Sequence, residues 1–169
     1  MSAPLSRTAI AGPLAAVLAL AILDQLVKRV FEGALEPHVP VPVWGPLHWF
    51  LTENRGVAFS QLSFLGANGL ALLAVLILVF VVVLWWRTPP AHRLARIGFV
   101  LVAGGAVGNL IDRVMLGYVT DYVLLTWRGW SFAVFNLADA FITVGAIAVL
   151  VDELFGWGRR APDAAGEAG

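Results

Sequence analysis

Four aspartates are the residues most able to do chemistry in this chain, and their depth is what makes them candidates. Counted along the apolar runs that carry them, Asp24 lies 17 residues beyond Arg7, Asp112 lies 16 beyond Arg96 and Asp139 lies 13 before Asp152. Helical rise converts these counts to about 26, 24 and 20 Å, so three acids from three segments gather near one level of a bilayer. A charge inside a membrane costs at least a few kcal/mol unless it is paired or hydrated, which makes such acids functional candidates. Asp121 sits in the short connection between the runs bearing Asp112 and Asp139. Two carboxylates near one another share a proton. One can then activate water as a base while the other polarises a carbonyl and protonates a leaving amine.

Other chemistries lack their residues. His38, His48 and His92 are scattered and no H-E-x-x-H is present, so a zinc hydrolase has no ligand set. Ser60, Ser63 and Ser131 lack a G-x-S-x-G context, and the single lysine, Lys28, already has Asp24 beside it. Cysteine is absent, which removes thiolate nucleophiles and disulfides. Each acid also has a plain structural reading. Asp24 and Lys28, at i and i+4, make an intrahelical ion pair; Asp112-Arg113 anchors a helix end; Asp121 alone is a solvated loop acid. Asn136 and Asp139 read as an N-cap and its N3 acid, but an N3 acid followed by twelve uncharged residues is not an ordinary one.

The elements that must position these groups follow from composition. The 169 residues are 60% hydrophobic and only 13% charged, with a mean hydropathy of +0.85, so the solvent of this chain is lipid. Eleven basic and eleven acidic residues cancel, leaving no field for nucleic acid. One polytopic domain, 1–169, is expected, with spans at about 8–30, 67–86, 94–113 and 134–155. The first of these is read as a retained helix, since no small-x-small cleavage site follows it. Four spans put both termini on one side. Arg7, Arg87, Arg93, Arg96, Arg159 and Arg160 lie there against Lys28, Arg29, Arg55, Arg113 and Arg128 opposite, which makes the termini cytoplasmic. Trp85, Trp86 and Trp157 then mark the inner interface, and Trp44, Trp49, Tyr118, Tyr122, Trp127 and Trp130 the outer. The fold expected is an all-α membrane protein with a small extracytoplasmic β-platform. That platform comes from the outer loop, 31–66, where Val39, Val41 and Val43 alternate among Pro37, Pro40, Pro42 and Pro46, with Trp44, Trp49 and Phe50 toward the bilayer. The tail 161–169 reads as disordered, Gly104-x-x-x-Gly108 as helix packing, and Asn54-Arg55-Gly56 as a turn.

Five ordered motifs carry a resemblance: Asp24-x-x-x-Lys28, Asn54-x-Gly56-x-Ala58-Phe59, Gly104-x-x-x-Gly108-Asn109-x-x-Asp112-Arg113, Val119-x-Asp121-Tyr122 and Phe135-Asn136-x-Ala138-Asp139. From about residue 9 to about 155 the chain resembles the lipoprotein signal peptidase (signal peptidase II) family, bacterial inner-membrane aspartic endopeptidases. The resemblance implies cleavage of diacylglyceryl-modified prolipoproteins immediately before the lipidated cysteine, at the outer face of the membrane. It implies Asp121 and Asp139 as the catalytic pair. Asn54, Gly56, Asn109, Arg113 and Asn136 fall on positions that bind substrate or brace the site, and Asp24, Lys28 and Asp112 on positions that hold the helices in register. No metal or cofactor is implied; the partners implied are the prolipoprotein, membrane lipid and the inhibitor globomycin, with the protein a monomer. Tyr122 stands where the family usually has phenylalanine, and Ala140 where serine is common. Two readings of other classes compete: a proton or ion carrier using the acids as relays, and a scaffold in which they only anchor helices.

Overall fold

The computed structural model describes residues 7–56, 66–128 and 130–156. Ala58, Phe59, Ser60, Ser63, Trp157, Arg159, Arg160 and the 161–169 tail lie outside the described residues. The elements run α1 (Arg7–Ala34), β1 (Val41–Trp44), β2 (Leu47–Asn54), α2 (Gly66–Arg87), α3 (Arg93–Met115), β3 (Val119–Trp127), β4 (Trp130–Phe135) and α4 (Leu137–Phe155). Among the described residues three segments are long and apolar enough to cross a membrane: Ile10–Ala34, Asn68–Arg87 and Arg93–Met115. The chain is a multi-pass helical membrane protein with a small antiparallel sheet.

The helix most different from expectation is α4. Residues 134 and 135 belong to a strand, and the helix begins only after Asn136, because Asn136 accepts from the Asp139 N–H while Asp139 accepts from the Asn136 N–H. That reciprocal capping box ends the strand and starts the helix at one residue. At the other end Gly156, at φ 66°, closes the helix in the left-handed conformation and donates to the Asp152 carbonyl.

The platform is also larger than expected. Its four strands lie in the order β1-β2-β3-β4, all antiparallel, and two of them come from the connection between α3 and α4, not from 31–66. Of the expected bilayer-facing aromatics, Trp44 is exposed, whereas the Trp49 ring packs against Phe31 at 4.8 Å.

Helix α3 is the centre of the bundle and touches α1, α2 and α4. Its contact with α2 is a conventional apolar core of Val81, Trp85, Ala95, Phe99 and Ala103. Glycines set the other two contacts. A Cβ at Gly98 would meet the Gly145 carbonyl of α4 at 2.6 Å, and one at Gly108 would meet the Asp24 carboxylate of α1 at 2.6 Å. The small residues therefore do pack helices, as read, and one of them brings α3 backbone against an acid.

Candidate active site

Apart from Asp152, which meets His92 at the far end of α4, the buried polar residues among the described residues lie on the sheet side of the bundle. Asp24, Lys28, Asn109, Asp112, Thr120, Asp121 and Asn136 are each no more than 5% exposed. Groups this costly to bury must be satisfied by one another, and the hydrogen bonds show how. The Lys28 ammonium contacts Asp24 Oδ2 and Asp112 Oδ2, both at 2.7 Å, and donates to Asn109 Oδ1 at 3.1 Å. Its three donors join α1 to α3. The i,i+4 pair expected within α1 is thus one arm of a buried triad, and Asp112 is an interior group rather than a head-group anchor.

Three asparagines aim amide groups at the two candidate catalytic carboxylates, and each is oriented by a neighbour that can only donate. Gly56 N–H donates to Asn54 Oδ1 (2.9 Å), which turns Asn54 Nδ2 to Asp121 Oδ2 at 2.9 Å. Asp139 N–H donates to Asn136 Oδ1 (3.0 Å), which turns Asn136 Nδ2 to Asp121 Oδ1 at 2.7 Å. Lys28 occupies Asn109 Oδ1, which turns Asn109 Nδ2 to Asp139 Oδ1 at 2.8 Å. Asn136 Nδ2 also reaches Asn109 Oδ1 at 3.1 Å, so an unbroken path of amides links Asp121 to Asp139. The turn read at Asn54-Arg55-Gly56 is present. Its glycine sits at φ 88°, where a side chain would be strained and would run into Leu70.

The start of α4, which carries Asp139, is held from three directions. The first three N–H groups of a helix have no partner within it. Here Leu137 N–H donates to the Tyr122 hydroxyl (2.9 Å), Ala138 N–H to Asp24 Oδ1 (2.9 Å) and Asp139 N–H to Asn136 Oδ1. Tyr122 is fixed in turn by stacking on Phe31 at 4.1 Å. Its hydroxyl pKa is pushed up to about 12, chiefly by burial.

Asp121 is 1% exposed, and burial lifts its pKa to about 7, with the charge of Asp139 adding to the rise. The bonds from Asn54 and Asn136 and the field of Lys28 pull the other way. Asp139 is partly exposed. Arg113 lies in the combined field of Asp139, Asp121 and Asp112; among the described residues its hydrogen bond is to the Asn109 carbonyl, at 3.1 Å. A buried acid that holds a proton near neutrality, next to a more accessible carboxylate and a cation, is suited to activating water against an amide.

The family profile of signal peptidase II matches residues 16–155. The chain belongs to that family. Lipoprotein signal peptidases of Brucella ovis and Brucella canis are each 45% identical over 156 residues, covering 92% of this chain and 98% of theirs. Two solved structures, described as bacterial membrane enzymes studied by the in meso method at 1.9 and 2.3 Å, share the fold. Their TM-scores are 0.72 and 0.73 at 24% identity, over 86% and 90% of this chain and 94% and 96% of theirs. As a signal peptidase II the chain is a hydrolase, and the carrier and scaffold readings fall.

Every site residue named from sequence joins this network: Asp24, Lys28, Asn54, Gly56, Asn109, Asp112, Asp121, Asn136 and Asp139 through hydrogen bonds, and Arg113 beside them. Sequence reasoning missed three. Gln25 donates to Asp112 Oδ1 at 2.7 Å, and Thr120 N–H donates to Asp112 Oδ2 at 3.1 Å. Tyr122, noted as an interface aromatic and a departure from the family pattern, uses its hydroxyl on α4. Gln25 and Asp112 are 87 positions apart, a pairing no local pattern announces.

Proposed function

We propose that Asp121 and Asp139 are the catalytic pair of a lipoprotein signal peptidase, an aspartic endopeptidase of prolipoprotein signal peptides. The observation that carries the reading is Asn136, whose side-chain Nδ2 donates to Asp121 Oδ1 at 2.7 Å while its main-chain N–H donates to Asp139 Oδ2 at 3.2 Å, so that one residue bonds a strand carboxylate and a helix carboxylate. Asp121, with its pKa near 7, holds the shared proton. Asp139 takes a proton from water, whose oxygen attacks the scissile carbonyl as Asp121 protonates the carbonyl oxygen. Asp139 then returns its proton to the amide nitrogen, the C–N bond breaks, and the products are a signal-peptide carboxyl group and a free amine. The proton on the collapsing diol goes back to Asp121.

Asn54, Asn109 and Asn136 hold the carboxylates without neutralising them, Gly56 fixes Asn54, and Arg113 positions substrate backbone. Asp24, Lys28 and Asp112 lock α1 to α3 and α4. The substrate is a diacylglyceryl-modified prolipoprotein, cut immediately before its lipidated cysteine. Its acyl chains stay in the bilayer beside α1 to α4, read as four spans of one domain with both termini in the cytoplasm. The sheet and the catalytic pair then lie at the outer face of the bacterial inner membrane, where lipid and water are both at hand. Globomycin would compete for this site, and a monomer contains all of it. The reading is tested by incubating purified protein with a diacylglyceryl prolipoprotein in detergent and following the gel shift. Wild type cleaves and folded Asp121→Asn and Asp139→Asn do not; cleavage by either variant removes the aspartic mechanism.

A further inference from the structure

A sheet with open edges is a template for another strand, and proteins normally blunt such edges with proline, charge or brevity. The two edges of this sheet differ. Strand β1 is four residues long with Pro42 inside it and Pro40 just before it. Strand β4, Trp-Ser-Phe-Ala-Val-Phe, is six residues of strand-forming character with no proline, no glycine and no charge. Among the described residues β3 is the element packed against it, and no hydrogen bond from its outward backbone groups is made. Ser131 and Ala133 are exposed.

The undefended edge also points at the catalytic pair. Val123, Leu124 and Leu125 pair with Phe135, Val134 and Ala133 in unbroken register, and the irregularity between Leu125 and Thr126 is at the far end. Carried two residues further, that register sets Asp121 level with position 137. There the chain has left the sheet for α4, and the residue that ends the edge, Asn136, is the one that bonds both carboxylates, through its side chain to Asp121 and its main-chain N–H to Asp139. A peptide pairing with β4 and continuing past Phe135 is carried toward that residue.

We propose that β4 is the substrate-docking edge: the extended segment containing the scissile bond pairs with Trp130–Phe135 as a fifth strand and is delivered by it to the catalytic pair. This rests on the peptidase function proposed above. Main-chain pairing supplies affinity with little demand on side chains, which suits an enzyme that must accept many sequences ahead of one lipidated residue. Six residues of edge span about 20 Å, enough for a peptide of similar length.

The test leaves the enzyme unaltered. A synthetic diacylglyceryl lipopeptide is made with single N-methyl groups at successive amides ahead of the scissile bond, and kcat/KM is measured with the full-length wild-type protein. Pairing with β4 predicts losses of about tenfold or more at every second amide and little change between. In parallel, because the natural chain has no cysteine, Ala133→Cys and Val43→Cys provide single thiols on the two edges for lipopeptides bearing a bromoacetyl side chain. Ala133→Cys cross-links and Val43→Cys does not. Uniform or absent N-methyl sensitivity, or cross-linking to Val43→Cys instead, overturns the docking edge while leaving the peptidase intact. If the unmethylated lipopeptide is not cleaved at all, the parent function fails and the docking edge with it.

Discussion

Replacing Asp121 with asparagine should change the stability of the protein in opposite directions at low and high pH. The wild-type carboxyl has a pKa of about 7 when folded against 3.8 for an ordinary aspartate. Below pH 4 it is protonated in both states and contributes no difference. Between pH 4 and 7 the unfolded chain gives up its proton and the folded chain keeps it, so stability falls as pH rises; above 7 the loss is complete and constant. At 1.36 kcal/mol per unit the full swing is on the order of 4 kcal/mol. Asparagine does not titrate and escapes this loss. It does bring a new conflict, because Asn54 and Asn136 both donate to Asp121 and an amide can accept from only one of them. The resulting unsatisfied donor costs about 1–3 kcal/mol at every pH. The variant is therefore less stable than wild type near pH 4.5 and more stable at pH 8, with a crossing in between. At about 2–4 °C per kcal/mol, the difference in midpoint should swing by roughly 8–16 °C. Tryptophan fluorescence of the detergent-solubilised proteins, heated at a series of pH values, reads this directly. A difference that is the same at every pH would refute the idea that burial holds a proton on Asp121.

Three further outcomes follow from the packing. Gly108→Ala pushes a methyl into the Asp24 carboxylate, so it should cost about 1–3 kcal/mol and reduce turnover, whereas Gly12→Ala, which meets nothing within 4 Å, should leave turnover unchanged and raise the melting temperature slightly. Lys28→Gln strands two buried carboxylates and should lower stability by about 3–5 kcal/mol, measured as loss of folded protein after extraction. Tyr122→Phe keeps the stack on Phe31 but leaves the Leu137 N–H without its acceptor. It should lower the melting temperature by several degrees, at about 1–3 kcal/mol.

Much of this arrangement is legible in the sequence because membranes simplify the code. An uncharged run marks a membrane helix, so α1 to α3 fall within a few residues of expectation and their acids can be placed by depth. Lys28, bridging Asp24 and Asp112, brings two of those acids together. The start of α4 is also written locally, in Asn136 and Asp139, and counting apolar residues alone misplaces it because β4 is apolar too. Strands β3 and β4 are the part not read. The first four residues of β3 are buried whichever way they face, so polar and apolar positions do not alternate as on a half-exposed strand. The signal that could have found them is the pair of β-branched and aromatic runs flanking Arg128-Gly129, a hairpin pattern in which Arg128 adopts φ 48°. The bonds of Gln25 and Tyr122 have no such signal, since the first depends on how α1 meets α3 and the second on how β3 meets α4.

The allocation of charge explains why neutral amides surround the catalytic pair. The site contains four acids, Asp24, Asp112, Asp121 and Asp139, against Arg113, whose hydrogen bond among the described residues goes to the Asn109 carbonyl, and one lysine, which is taken up by Asp24, Asp112 and Asn109. Asp121 is left with amide donors, which orient it while burial keeps a proton on it. A cation in place of one of those amides should undo this. Asn54 is the place to try it, being only partly buried. Asn54→Lys puts an ammonium beside Asp121, and an opposite charge at contact lowers a carboxyl pKa by about 1–3 units. From about 7 the value would fall to roughly 4–6, so at pH 7.5 the protonated fraction drops by about 10- to 1,000-fold and turnover with it. The sign for Asn54→Ala is opposite. Removing a hydrogen bond that holds the pKa down moves the alkaline limb of the kcat/KM profile to higher pH. Profiles on one lipopeptide should thus shift to acid with lysine and to alkali with alanine, and activity of Asn54→Lys should recover as pH is lowered toward 5. If both variants lose activity equally at every pH, Asn54 acts only by contact with substrate, and the withheld cation is not what readies Asp121 to give up its proton.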